Sequence, residues 1–137
     1  MKPNPVEPSA ECLFAWVVGI FEGEGSIYPA KRKRRDPPPG ERTHLVIPRA
    51  QITSTDRDVL ERVRSVLGYG AICRASRRPN QKQAWYWDCT SYRALSAFYE
   101  RAKPYLCSRR RGRFEFVLNH VAAHKFLKPR EPAVAGG

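Results

Sequence analysis

Between Leu13 and Phe21 the chain carries an apolar run, LFAWVVGIF, too wide for one face of a helix. Leu13, Phe14, Trp16, Val17, Val18, Ile20 and Phe21 surround the axis of the helix this segment predicts, so the helix must be covered on all sides. One domain of 137 residues covers only part of it. The run is about half of the roughly 20 residues that a bilayer span needs, which leaves a protein partner as the cover. Ala15 and Gly19 are small and four apart, and they allow a second helix to approach closely. Gly23 and Gly25 then bracket Glu24, where the chain must leave the helix and start a strand.

The segment Val17 to Gly25, VVGIFEGEG, resembles the motif from which the LAGLIDADG homing endonucleases take their name. Gly19, Glu22, Glu24 and Gly25 stand at the first glycine, the two acids and the closing glycine, followed by Ser26 and Ile27. Val17 replaces the leading leucine, and both acids are glutamate. The resemblance implies an α+β domain with an αββαββα core and a four-stranded antiparallel saddle sheet. Chains of that family with a single motif act as homodimers through their motif helices, which here points to Ala15, Val18, Gly19 and Glu22 as interface residues. The all-round apolar helix agrees with that expectation.

A formal charge of +12 favours a polyanionic partner, with a nucleic acid the leading candidate, and the resemblance makes that partner double-stranded DNA. Cys12, Cys73, Cys89 and Cys107 are spaced too widely for a CxxC motif, and no apolar signal segment precedes them; reduced thiols fit, in a cytoplasmic (bacterial or phage-encoded) or organellar protein that is neither secreted nor membrane-bound. His120 and His124 make half a zinc site without the glutamate of HExxH or a third ligand, and a solvated helix face accounts for them.

Residues 1–8 and 128–137 read as loose tails around one domain at 9–127. Within it, Ser9 is the expected N-cap of a helix reaching Glu22. A strand from Gly25 to about Arg34, a loop at Arg35 to Arg42 and a strand from about His44 to Thr53 follow, with an edge or bulge at Pro48. Thr55 and Asp58 suggest a capping box for an amphipathic helix ended by Gly68. Strands at Ala71 to Arg78 and Gln83 to Thr90 flank a PNQK turn, with Trp85, Trp87 and Cys89 facing the core and Tyr86, Asp88 and Thr90 facing away. A third helix contains Leu95 to Ala102 and stops at Pro104; a fourth contains Phe114 to Ala122. The order is αββαββαα.

Period two places Ser26, Tyr28, Ala30, Arg32 and Arg34 on one face of the first strand, opposite Ile27. Arg49, Gln51, Arg77, Tyr86 and Asp88 can share that face. Such a ribbon enters a major groove, with Arg32 and Arg34 as candidates for guanine edges or phosphates. A ribbon of about eight residues spans roughly 25 Å, or about seven or eight base pairs per subunit. A charged hairpin tip is the alternative reading of KRKRR.

Resemblance makes Glu24 the carboxylate that carries Mg²⁺, with Mn²⁺ as a substitute, assisted by the carbonyl of Gly23. It likewise matches Arg109 to a basic residue that polarises the scissile phosphate or solvent, and Ser54 to a polar position that orders water. Arg109, Arg110, Arg111 and Arg113 crowd the start of the last helix, against its dipole, which suggests an external anion; Arg110 and Arg111 are then phosphate contacts. The expected function is site-specific double-strand DNA cleavage of a long, nearly palindromic target by a homodimer, tied to intron or intein mobility. The alternative is a noncatalytic DNA-binding regulator or an RNA-splicing maturase of the same fold.

Overall fold

Ser9 caps the first helix, α1 (Ala10–Glu24), by accepting the Cys12 N–H at 3.1 Å in this computed structural model, which describes residues 7–126. Residues 1–6 of the expected N-terminal tail, and the tail at 128–137, lie outside the described residues. α1 continues past Glu22, because Gly23 stays helical and the Gly25 N–H still bonds Phe21 O. Glu24 is therefore the last helical residue, and β1 (Gly25–Lys33) begins immediately after it. Gly25 is required by space, not by a left-handed backbone. Its φ is −87°, but a Cβ there would lie 2.6 Å from both the Phe21 ring and the Phe21 carbonyl oxygen.

The remaining elements are β2 (His44–Ser54), α2 (Arg57–Leu67), β3 (Ala71–Arg74), β4 (Trp85–Cys89), α3 (Tyr92–Ala102) and α4 (Ser108–Phe126), with a 3₁₀ turn at Lys103–Tyr105. The order is the expected αββαββαα. One antiparallel sheet runs β1-β2-β4-β3. Pro48 sits opposite Pro29 in an unbroken one-to-one register, and β2 meets β4 only from Ala50 onward. Neither proline can donate, so the pair fits the ladder with both nitrogens turned outward, one to the free edge and one past the end of β4. The expected edge at Pro48 is real on that side, and there is no bulge.

Other boundaries also differ from expectation. α2 is capped by Asp56, whose Oδ1 accepts the Asp58 N–H at 3.0 Å, instead of by Thr55. An aspartate one residue further on offers the stronger, charged acceptor. β3 and β4 are shorter than the alternation suggests: beyond Arg74 the polar stretch has nothing to bury. The Gln83 amide holds that loop by donating to the carbonyls of Ala75 and Ala84. Gly68 ends α2 in the left-handed region, as expected.

All four helices contribute buried side chains to a core that also takes Ile27, Ala50, Ile52, Trp87 and Cys89 from one face of the sheet. Phe21 lies at the heart of an aromatic cluster, with ring centroids 5.9 Å from Phe98 and 5.2 Å from Phe114. That cluster joins α1, α3 and α4. Gly25→Ala should therefore displace Phe21 and destabilise the protein by about 1–3 kcal/mol, since overpacking a filled core is felt as strain. Denaturant unfolding measures this; an unchanged midpoint would show that the junction has room to spare.

Candidate nucleic-acid interface and cleavage site

α1 ends with two glutamates and no basic residue in its last turn, so its own dipole and side chains concentrate negative charge there. The compensation comes from another element. Arg110 of α4 donates its Nη2–H to the Glu22 carbonyl at 3.2 Å and lies over the Phe21 ring, with 5.7 Å to the centroid. In return the Glu22 carboxylate accepts the Cys107 N–H at 3.4 Å, at the N-terminus of α4, where a negative charge is favoured. Arg113 adds a 3.1 Å bond from its Nε–H to the Ile27 carbonyl. Arg110 thus answers the end of α1 and Arg113 a carbonyl within β1, while the buried Nε of Arg110 has no hydrogen-bond partner. Arg109 and Arg111 remain exposed.

This junction leaves Glu24 exposed, in a cleft lined also by Ile20, Thr53, Ser54, Thr55 and Val59. Glu24 and Ser54 are thereby brought together across the sheet's end, where Gly25 pairs with Ile52. Ser54 Oγ also accepts the Asp56 N–H at 3.0 Å, so its oxygen helps build the turn into α2. Arg109 lines a different groove, with Ser26, Tyr28, Arg113 and Phe116, along the other flank of β1. Thr53 and Thr55 also line the Glu24 cleft, and their adjacency to Ser54 is the one sequence signal for them. The oxygen donors here, a carboxylate and the helix-end carbonyl of Gly23, suit a hard divalent cation. Among the described residues no three His, Cys, Asp or Glu side chains gather.

The sheet face opposite the helices is open. It carries Ser26, Tyr28 and Arg32 from β1, Arg49 and Gln51 from β2, and Tyr86 and Asp88 from β4. Several of these side chains engage one another. Tyr28 Oη donates to Gln51 Oε1 at 3.2 Å, Arg49 Nε donates to Asp88 Oδ1 at 2.9 Å, and Arg32 reaches Thr90 Oγ1 at 3.1 Å. The hydrogen bond to Asp88 strengthens the Arg49 guanidinium's hold on its proton, raising its pKa. Arg34 is withdrawn from this row: it pairs with Glu41 at 2.9 Å and donates to the Arg42 carbonyl. Arg77 lies beyond the end of β3, in the loop, where it bonds the Gln81 carbonyl.

Of the residues expected at a helix–helix interface, Gly19 is exposed and Ala15 half-buried. Val18 is 1% exposed, because its side chain already packs in the chain's own core, and it is not available to a partner. Glu22 is turned to α4 by the contact with Cys107. Among the described residues no helix is long and apolar enough to cross a membrane.

Helices on one face of a four-stranded antiparallel sheet, with the other face open and an acid at the first helix–strand junction, define a distinct α+β class. The fold is that of the LAGLIDADG homing endonucleases. The homing endonuclease I-CvuI in complex with its target is 20% identical with a TM-score of 0.66, covering 85% of this chain and 70% of that one. The homing endonuclease I-TnaI is 19% identical at TM-score 0.64, covering 88% and 76%. The archaeal intron-encoded I-Vdi141I, complexed with DNA, is 22% identical at 0.62, covering 84% and 72%. No protein-family model and no curated protein matches the sequence.

The hydrogen bonds from two arginines to backbone carbonyls predict a separation of effects. Arg110→Ala and Arg113→Ala should each lower stability in the absence of DNA by about 1–3 kcal/mol, the range for a lost charged hydrogen bond. Arg109→Ala and Arg111→Ala should change it by less than about 0.5 kcal/mol. Urea unfolding of the four variants tests this, and a wild-type midpoint for Arg110→Ala would return that residue to the surface.

Proposed function

We propose that this chain is a single-motif member of the LAGLIDADG homing endonucleases, a divalent-metal-dependent enzyme that cuts both strands of a long, nearly palindromic DNA site as a homodimer. The observation that carries the reading is the position of Glu24. It is the exposed last residue of α1, directly before the strand whose alternate side chains form the open face, and a duplex lying along that face would pass this junction. I-CvuI, of the same fold, has been solved with DNA targets in the presence of Ca and of Mg, which supports a divalent cation for this protein too.

In this reading Glu24 and the Gly23 carbonyl hold Mg²⁺, with Mn²⁺ as a substitute. The ion, when bound, polarises the scissile phosphate and stabilises charge on the attacking and leaving oxygens. Ser54, in the same cleft, hydrogen-bonds water with its free hydroxyl proton. Arg109, from the flanking groove, neutralises phosphate charge. A second chain packs against the exposed stripe around Ala15 and Gly19, and two-fold symmetry then supplies a second Glu24 for the second strand. Intron or intein mobility and a cytoplasmic or organellar setting belong to the same proposal.

Glu24→Gln should abolish plasmid cleavage in Mg²⁺ while keeping DNA affinity within a few-fold, since volume is preserved and one ligand is lost. Undiminished cleavage by this variant, or wild-type cleavage in EDTA, would refute the assignment.

A separate test addresses the dimer. A Cβ at Gly19 would meet nothing within 4 Å in the single chain. Gly19→Leu should therefore leave the circular dichroism unchanged but shift light scattering from dimer to monomer. A well-folded wild-type monomer at micromolar concentration would remove the basis for a symmetric site.

A further inference from the structure

We propose that the open sheet face reads each half-site in two chemically different blocks: Arg49, held in place by Asp88, reads a guanine, and Ile47 with Leu45 contacts thymine methyl groups further from the cleavage cleft. The inference rests on the DNA-cleaving reading above.

Asp88 is an anomaly on a face meant for a polyanion. Its side chain is only 17% exposed, and it grips Arg49 at 2.9 Å from Nε and 3.5 Å from Nη2. A lone acid there would repel phosphates; as a partner it fixes the plane of the guanidinium. The Nε edge is occupied, so the Nη1 hydrogens and the outer Nη2 hydrogen are left as the donors. Two parallel donors in a fixed plane match the O6 and N7 acceptors of guanine in the major groove. Arg49 is thus the reader and Asp88 a positioning residue.

The second block is apolar. Ile47 and Leu45 alternate with buried Pro48 and core-facing Val46, so they lie on the same open face as Arg49. Leu45 is 48% exposed beside its register partner Arg32, whose guanidinium reaches to Thr90, and Ala30 is the register partner of Ile47, so the apolar block lies on β2 with one basic neighbour from β1. Small and branched apolar groups on a groove-facing strand find one apolar feature on base edges, the thymine C5-methyl. Strand geometry orders the two blocks. Ser54 marks the cleft end of β2, and Leu45 lies four residues beyond Arg49, about 13 Å or about four base-pair steps. Ile47 lies about two steps beyond it.

Selection from a library of randomised half-sites, with full-length wild type and variants, tests the assignment. Wild type should enrich a G·C pair at one position and T·A pairs about two to four steps further from the cut. Asp88→Asn and Arg49→Lys should each lose about tenfold of the guanine preference and keep the thymine preference. Leu45→Ser and Ile47→Thr should do the reverse. These side chains are on the open face, and thermal melts check that each variant folds; Asp88→Glu, which keeps the charge, should restore part of the guanine preference that Asp88→Asn loses, and no rescue would deny Asp88 its positioning role. Selectivity with any other pattern, or variants that leave the wild-type profile intact, would overturn the two-block reading alone. A wild type with no base preference anywhere would overturn it together with the endonuclease reading.

Discussion

The exchange between the C-terminus of α1 and the N-terminus of α4 is the contact on which the rest of the arrangement depends. Each helix end presents unpaired backbone groups and half a unit of macrodipole charge, of opposite sign. Arg110 crosses to one and Glu22 to the other. With these ends locked, Phe21 is held against Phe98 and Phe114, and the chain has a single way out of the helix, over the Phe21 ring at Gly25. The position of Glu24 follows from that exit. The first acid of the motif thus works inside the protein and the second is free at its surface, though they are only two residues apart.

Much of this was legible in the sequence because it is periodic. The apolar helix, the αββαββαα order, the tryptophan-bearing face of β4 and the polar face of β1 all follow from alternation or 3.6-residue spacing, which act locally. Glu24 beside Ser54 was reachable through the resemblance, since both positions sit at element ends. Contacts between distant segments were not legible. Nothing near Arg110 says that its partner is the carbonyl of Glu22, and nothing near Arg34 says that Glu41 will take it. Val18 shows the same limit: on an all-round apolar helix, sequence cannot say which stripe the chain's own core will cover.

Part of the positive charge is neutralised locally. Arg49, Arg57, Arg64 and Arg101 all have carboxylate partners, mostly exposed pairs of small energetic worth. Cations without a carboxylate partner then include Lys31, Arg32 and Lys33 of β1, Arg109 and Arg111 of α4, and Arg74, Arg77 and Arg78 at and beyond the end of β3. An approaching polyanion would experience the summed field of these residues, and high salt should weaken it.

The outer edge of β1 shows how the sheet avoids a hazard. An unpaired strand of nine residues would ordinarily invite another chain to add its own strand and begin a growing stack. Pro29 interrupts its row of donors, and the three basic residues that follow would force two such edges to bring like charges together. At the opposite edge β3 has only four residues, too few to template an addition. The same lysines and arginine that suit a nucleic acid therefore also act as gatekeepers against aggregation, so removing them to simplify the surface would risk solubility as well as binding.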